Sequence, residues 1–388
     1  MKIVNTFSQK VLASTLVACL SVSSSLDTAS ATTNCVFAPG TKKMTLQGPC
    51  STDSAIVIPD GFTLDGQGFK ITAIDPPAGN FTGAILTNAG KAAHITNIFL
   101  RTNLADVCNT GLDKVAGIRY LNGGGNVLSV NILINKGAGT SVCEEGVAVE
   151  AIDLPFATTK PYRKLSVKNS TLNNNQLAAV VGVGNVNIRI EGNLIKNLDG
   201  FPVPQRGIEL ADGAKGYVLT NEILRHRNTA VGGTPSYGIF LNRSASVTLF
   251  TNTLNFNDVA IRATGTNKST VRSNYIRSST FDGILVDDEA GPTGSNTVWQ
   301  NDSGKNGHHG VSLQNVNNTL TKNTVKVNLC ERNLQNGITV EGTLNKIQMN
   351  TTSLNDVLDI ADFGTGNVYT RNVCTTSTGA PVDCPVVP

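Results

Sequence analysis

The 388-residue chain is poor in the residues that most often announce a binding site. It has one tryptophan, three methionines and four histidines, and aromatic residues make up only 5%. So thin an aromatic set argues against a broad sugar-stacking platform, and so few soft or imidazole donors argue against a metal-delivery protein. Charged residues are also sparse, at 15% with a formal net charge of +3, which gives no overall footprint for nucleic acid or an anionic membrane. No CxxC pair, no HExxH and no other metal-ligand spacing occurs. Beyond the N-terminus there is no apolar run long enough to span a bilayer, and helical periodicity is almost absent.

The N-terminus has the composition of a targeting segment. Lys2 and Lys10 precede the apolar run from Val11 to Leu20, and Ala29-Ser30-Ala31 supplies small residues for cleavage, so residues 1–31 read as a signal peptide. The expected location is secreted or cell envelope, periplasmic or extracellular. Leu16-Val17-Ala18-Cys19 also resembles a bacterial lipobox, which implies a lipid anchor at Cys19 as the alternative to a removed leader. Seven cysteines follow the leader, and in an exported chain they pair more often than they bind metal. The expected bridges are Cys35 with Cys50, Cys108 with Cys143, and Cys374 with Cys384, leaving Cys330 over.

What the chain has in quantity is asparagine, glycine and β-branched residues, arranged in a repeat. In Leu249-Phe-Thr-Asn252-Thr-Leu-Asn-Phe-Asn-Asp258 an asparagine interrupts what otherwise reads as strand. The motif returns at Asn274, Asn301, Asn323, Asn350 and Asn372, at intervals of 22, 27, 22, 27 and 22, with looser versions at Asn131, Asn169, Asn193 and Asn221. Between these lie Gly-apolar-x-apolar strands such as Gly117-Ile, Gly146-Val, Gly207-Ile, Gly238-Ile, Gly283-Ile, Gly310-Val and Gly337-Ile, with Ala260-Ile as a variant. A period in the twenties made of short alternating strands predicts a solenoid whose coils bury their apolar faces against their neighbours. Coils stacked about 4.8 Å apart would place one asparagine above another, passing hydrogen bonds up a ladder and supplying the left-handed backbone of a sharp corner.

The glycine strands, the asparagine corners and the opening Ile58-Pro-Asp-Gly-Phe-Thr-Leu-Asp-Gly-Gln-Gly68 together resemble the pectin-lyase-like superfamily of right-handed parallel β-helices. The resemblance implies an all-β, single-stranded parallel β-helix of about 11–12 coils, with residues 32–54 as an N-terminal cap, 55–374 as the helix and 375–388 as a C-terminal cap. This fold carries lyases, hydrolases, epimerases, metal-delivery proteins and adhesins, so function has to be read from the outward side chains.

Two outward columns are expected. The residue before each glycine, or before Ala260, gives Glu145, Arg206, Tyr237, Val259, Asp282, His309 and Asn336; the second residue after it gives Glu209, Phe240, Arg262, Leu285, Ser312 and Thr339. Asp282 and His309 fall on adjacent coils, about 5 Å apart, and Tyr237 lies two coils from Asp282, about 10 Å away. A carboxylate one coil from an imidazole can supply an acid and a base on one sugar unit. Asp282, His309, Tyr237 and Asp258 are therefore the candidate catalytic residues, with Arg262, Arg206, Glu209 and Phe240 as the candidate substrate-binding set.

Within the superfamily, Asn257-Asp258, Phe281-Asp282, Gly307-His308-His309-Gly310 and Ile338-Thr339-Val340-Glu341 resemble the successive motifs of polygalacturonases. The second aspartate of their Asp-Asp pair is missing, however, and Thr339 and Glu341 replace their arginine and lysine. Pectate lyases bind calcium, for which Asp287-Asp288-Glu289 is the one candidate group; an acidic loop beside Gly291-Pro292 is the plainer reading of that run, and no other cofactor is expected. The Asp-Pro-His-Asp signature of alginate epimerases is absent, and metal delivery, as in the copper-site maturation proteins built on this fold, lacks ligands in a chain with four histidines and three methionines. The sequence thus supports an exported protein acting on an extracellular or envelope polysaccharide, uronide-containing by its arginines, through lyase, epimerase or hydrolase chemistry. The alternative is a non-catalytic glycan-binding, adhesin or structural protein. Polysaccharide is the expected partner, not nucleic acid. Trp299, next to inward-looking Val298, is expected in packing.

Overall fold

The computed structural model describes residues 33–108, 114–134, 145–154, 161–197 and 202–378. The leader with Cys19 lies outside them, as do Cys143 and Cys384. Among the described residues no helix is long and apolar enough to cross a membrane. The strands form three long sheets of 14, 13 and 12 members, in each of which every strand pairs with its counterpart one coil on. One coil runs Tyr237–Asn242, Val247–Phe250 and Thr253–Asn255, and the next begins at Val259 directly above Tyr237. We call the 13-stranded sheet the glycine-strand sheet, the 14-stranded one the second sheet and the 12-stranded one the third. The chain is a right-handed parallel β-helix.

Each sheet sends one residue in two into a shared core. Ile208, Leu210, Ile239, Leu241, Ile284, Val286, Val311 and Leu313 are all buried, and continuous columns of Ile, Leu and Val run the length of the described helix. Stacking starts earlier than position 55: Lys43–Leu46 and Cys50–Thr52 already pair with the coil above, so Phe62–Asp65 belongs to the second coil. Only Phe37–Gly40 departs from the pattern, folding back antiparallel on Lys43–Leu46 as a cap. Cys35 is bonded to Cys50 across this end, with Cα atoms 5.0 Å apart. Cys108 and Cys374 are each in a disulfide as well, not with one another. Cys330 is free and points into the core, where burial pushes its thiol pKa up.

The asparagines do form ladders, but three rather than one. Asn193, Asn221, Asn252, Asn274, Asn301, Asn328, Asn350 and Asn372 stack at the corner between the second and third sheets, each Nδ2 donating to the next Oδ1 at 2.9–3.0 Å. Asn323 belongs to a separate ladder with Asn296, Asn345 and Asn367, at the corner entering the second sheet. Asn306, Asn333 and Asn355 form the third, at the corner entering the glycine-strand sheet. Asn131 and Asn169 are off the ladder, whose register there falls on Val130 and Ser170. The left-handed residue is also not the asparagine but the one before it: Thr251, Ser273, Gln300, Val327, Met349 and Arg371 all have φ of 52–56°. The corner backbone is turned by that residue, which frees each ladder asparagine to spend its whole amide on neighbouring coils.

Candidate functional site

The glycine-strand sheet presents its outer face between two corners. The insert at 227–236 enters from the third-sheet corner, while the expected inserts at 104–113, 154–163 and 198–204 lie partly outside the described residues. The strands break their alternation at the glycine. The ladder pairs Tyr237 with Val259 and Ile239 with Ile261 but skips Gly238, where a Cβ would come 2.6 Å from the carbonyl oxygen of Ala260. Residues on either side of this step, three apart in sequence, therefore share the outer face, and Tyr237 stacks on Phe240 with ring centroids 4.7 Å apart. Gly146 does not occupy that position. Val147 pairs with Ala116, so Val147 and not Glu145 stands in the column, while Gly146, at φ +87°, turns the chain before the strand.

Asp282 and His309 meet as the register requires. The His309 backbone N–H donates to Asp282 Oδ1 at 3.1 Å, and Oδ2 makes no hydrogen bond among the described residues. Asp282 is only 4% exposed, and burial pushes its carboxyl pKa up to about 6. Burial, with the neighbouring His308, takes the His309 imidazole down to about 4. The Asn336 backbone N–H donates to His309 Nδ1 at 3.2 Å, and Thr339 Oγ1 lies at the same distance. Because a backbone amide can only donate, Nδ1 is the acceptor and the proton of the neutral ring sits on Nε2. Nε2 has no partner among the described residues. At neutral pH the pair is thus a carboxylate with one open oxygen beside a neutral imidazole with one open N–H.

The other candidates sort differently. Arg262 donates to Tyr237 Oη at 2.7 Å, to Asp287 at 2.8 and 3.3 Å, and to Glu289. Its guanidinium is closed in by these partners and holds the acidic loop rather than standing free for a substrate carboxylate. Tyr237 and Phe240 are buried with Val259 and Leu285 in an apolar patch outside the sheet, with Phe281 packed against it. Arg206 pairs with Glu209 at 3.2 Å and lies 5.5 Å from the Phe240 ring centroid. Asp258 turns away to the 227–236 loop, where its Oδ2 accepts from the backbone amides of Asn228 (2.7 Å) and Ser236 (3.0 Å). Asp258→Ala would leave two amides unpaired at a cost of about 2–4 kcal/mol. The expected result is faster protease cleavage within residues 228–236, read by limited proteolysis and mass mapping.

The acidic run is divided among separate partners. Asp288 accepts from the backbone amides of Val316, Asn317 and Thr319 at 2.6–3.0 Å, while Asp287 and Glu289 face Arg262, so the three carboxylates do not converge. Among the described residues no group of three or more His, Cys, Asp or Glu side chains could hold a metal ion. Sequence reasoning missed Asn336 and Thr339 as the groups that fix the His309 ring; spacing from His309 by one coil was the available signal. Ser312, in the column as expected between Leu285 and Thr339, is a buried hydroxyl with no hydrogen bond among the described residues. Trp299 is not in packing: it lies on the outer face of the second sheet, its ring centroid 4.0 Å from the Arg272 guanidinium and 4.7 Å from Lys326 Nζ.

Residues 212–373 match the family model described as "Periplasmic copper-binding protein (NosD)". A search of curated proteins returns no match. Among solved structures, the chain resembles the periplasmic alginate epimerase AlgG at 13% identity and a TM-score of 0.61, covering 87% of this chain and 78% of that one. It resembles the A-module of the Azotobacter vinelandii mannuronan C-5 epimerase AlgE6 at 15% identity and a TM-score of 0.55, covering 87% and 88%. The Dettilon tailspike protein is similar at 14% identity and a TM-score of 0.54, covering 83% of this chain and 61% of that one. At these identities the likeness is one of fold.

Proposed function

We propose that this is an exported envelope protein that acts on an acidic polysaccharide lying along the outer face of the glycine-strand sheet, with Asp282 and His309 as its proton-transfer pair. The observation that carries the reading is the pair itself: a carboxyl titrating at about 6 beside a neutral imidazole, each with one open atom. A base works best when its pKa lies near the working pH, and this carboxyl meets that condition. The fold likeness to two epimerases of uronate polymers, and to a family described as periplasmic, supports both the substrate class and the location.

Proton abstraction, as in a lyase or an epimerase, fits better than hydrolysis. Glycoside hydrolysis ordinarily needs two carboxyl groups across the bond. Here Asp258 turns to the 227–236 loop, where two backbone amides hold its Oδ2, and Asp287 and Glu289 are held by Arg262. In this reading Asp282 takes the proton from the sugar ring, and the Nε2–H of His309 donates to the oxygen on which charge develops. Copper binding, the function in the family description, finds no comparable support. His308 and His309 lie side by side with ring centroids 6.2 Å apart, but Nδ1 of His309 is already committed and no third ligand joins them among the described residues. These residues do not fit a copper centre.

Incubating the mature protein with polymannuronate and with polygalacturonate in deuterated water tests the proposal. Unsaturated ends would identify a lyase, and deuterium at C5 without chain cleavage an epimerase. Reducing ends alone would overturn the proton-abstraction assignment. Neither turnover nor binding of any acidic polymer would overturn the proposal and leave a structural envelope protein.

A further inference from the structure

The near balance of charge over the whole chain, 31 basic against 28 acidic residues, conceals a segregation by sheet. Counted over their described strands, the second sheet carries nine lysines and arginines against two acids, Asp65 and Glu191. The glycine-strand sheet carries three, Arg119, Arg206 and Arg262, against five acids. The face with the candidate catalytic pair is thus the acidic one, and an acidic polymer finds its electrostatic attraction on the neighbouring face.

That neighbouring face also has shape. A depression of about 610 Å3 is lined by Lys91, His94, Lys164 and Arg189, with Tyr162 and Tyr217 beside them, and no aspartate or glutamate lines it. Its floor is low because Gly124 stands on the coil between Ala92 and Lys164, where a Cβ would come 2.1 Å from the Lys164 carbonyl oxygen. No larger residue fits, so the recess is built into the stacking. From Arg189 an unbroken outer column continues through Tyr217, Thr248, Thr270, Thr297 and Thr324 to Lys346, one hydroxyl per coil between two cations. Beside it runs Phe250, Arg272, Trp299 and Lys326, rings alternating with cations.

We infer that the outer face of the second sheet is a docking track for a polyanionic glycan, separate from the candidate catalytic pair. The depression at Lys164 and Arg189 takes one or two acidic sugar units, and the threonine and Trp299 columns carry the chain onward. Hydroxyls, cations and rings recur once per coil, about every 4.8 Å. An extended pyranose chain repeats at a similar length per sugar unit. Exposed rings set among cations offer both stacking and charge to a uronate unit. The inference takes its ligand class from the functional reading above but does not need Asp282 to be catalytic.

The test is the affinity of the mature full chain for a polymannuronate decamer at low and moderate salt. Lys164→Glu combined with Arg189→Glu is expected to weaken binding at least tenfold and flatten the salt dependence. Trp299→Ala, a partly exposed ring whose loss leaves the core intact, is expected to weaken it severalfold. Circular dichroism of each variant checks folding. Wild-type affinity in both the charge-reversed and the Trp299 variants would overturn the inference. So would equal binding of neutral dextran, or tighter binding of a thymidine oligonucleotide of the same charge.

Discussion

Asp282→Asn is expected to raise the melting temperature at pH 7.5 while removing activity. The carboxyl titrates at about 6 because burial penalises its charge, against an ordinary value of 3.8. A folded-state pKa above the unfolded one means that the folded protein holds the extra proton between these values. The stability linked to this group is therefore complete below about pH 3.8 and is lost as pH rises to about 6. At about 1.4 kcal/mol per pKa unit, the charged carboxylate costs the fold about 3 kcal/mol at neutral pH. Asparagine carries no charge and its Oδ1 can still accept from the His309 amide, so the variant escapes this cost. Melting curves should coincide at pH 4 and separate by a few degrees above pH 6.5, with the variant higher.

The same substitution removes the only group of the pair that can act as a base near neutrality. Turnover of the acidic polymer should fall by about 10²–10⁴-fold, the usual worth of a positioned base. The wild-type rate should rise with pH through an apparent pKa near 6, a limb that the variant lacks. A buried carboxylate that destabilises its own protein has no structural reason to be there, and this separates the functional reading from a structural one. If the variant is less stable at every pH and keeps its rate, Asp282 serves the coil corner and not chemistry.

The sequence exposed the solenoid because its core columns repeat within one strand: isoleucine or valine after glycine, then an apolar residue two further on, as in Gly207-Ile208-Glu209-Leu210. It exposed the Asp282 and His309 pair for the same reason, since both precede the glycine of adjacent coils. What it hid depends on coil length. Steps along the first ladder are 28, 31, 22, 27, 27, 22 and 22 residues, so the nearly periodic Asn323 looked like a member although it belongs to another corner. Gly146 looked like Gly117, but a glycine needed for its positive φ and one needed for close coil approach read alike in one dimension. The fates of Asp258 and Arg262 were illegible because their partners, Asn228 and Ser236 for one and Asp287 and Glu289 for the other, lie in irregular segments or at strand ends. The basic face was invisible because its members come from coils of unequal length, and only stacking aligns them.

Asn301→Ala is expected to be among the most destabilising single truncations of a polar side chain in the molecule, at about 3–5 kcal/mol. Its Oδ1 accepts both the backbone N–H and the Nδ2 of Asn274, at 3.0 and 2.9 Å. Its Nδ2 donates to the Val271 carbonyl at 2.9 Å and to Asn328 Oδ1 at 3.0 Å. All of these groups are buried, so truncation strands the Asn274 backbone N–H and one of its two Nδ2 hydrogens, the other still donating to the Leu249 carbonyl, and removes a donor from the Val271 carbonyl, at about 1–3 kcal/mol each, while Asn328 keeps the Asn301 backbone donor. Solenoid coils depend on their neighbours, so the damage should stay local: hydrogen exchange should quicken at the amides of the coils around Asn274 and Asn328 before it does near the N-terminal cap. Asn131→Ala is the control. That asparagine is exposed and off the ladder, and its loss should change stability by no more than about 0.5 kcal/mol. Chemical denaturation followed by circular dichroism measures both. Equal effects at the two positions would mean that the asparagines serve only the turn conformation, and that the hydrogen-bonded stack adds nothing to the fold.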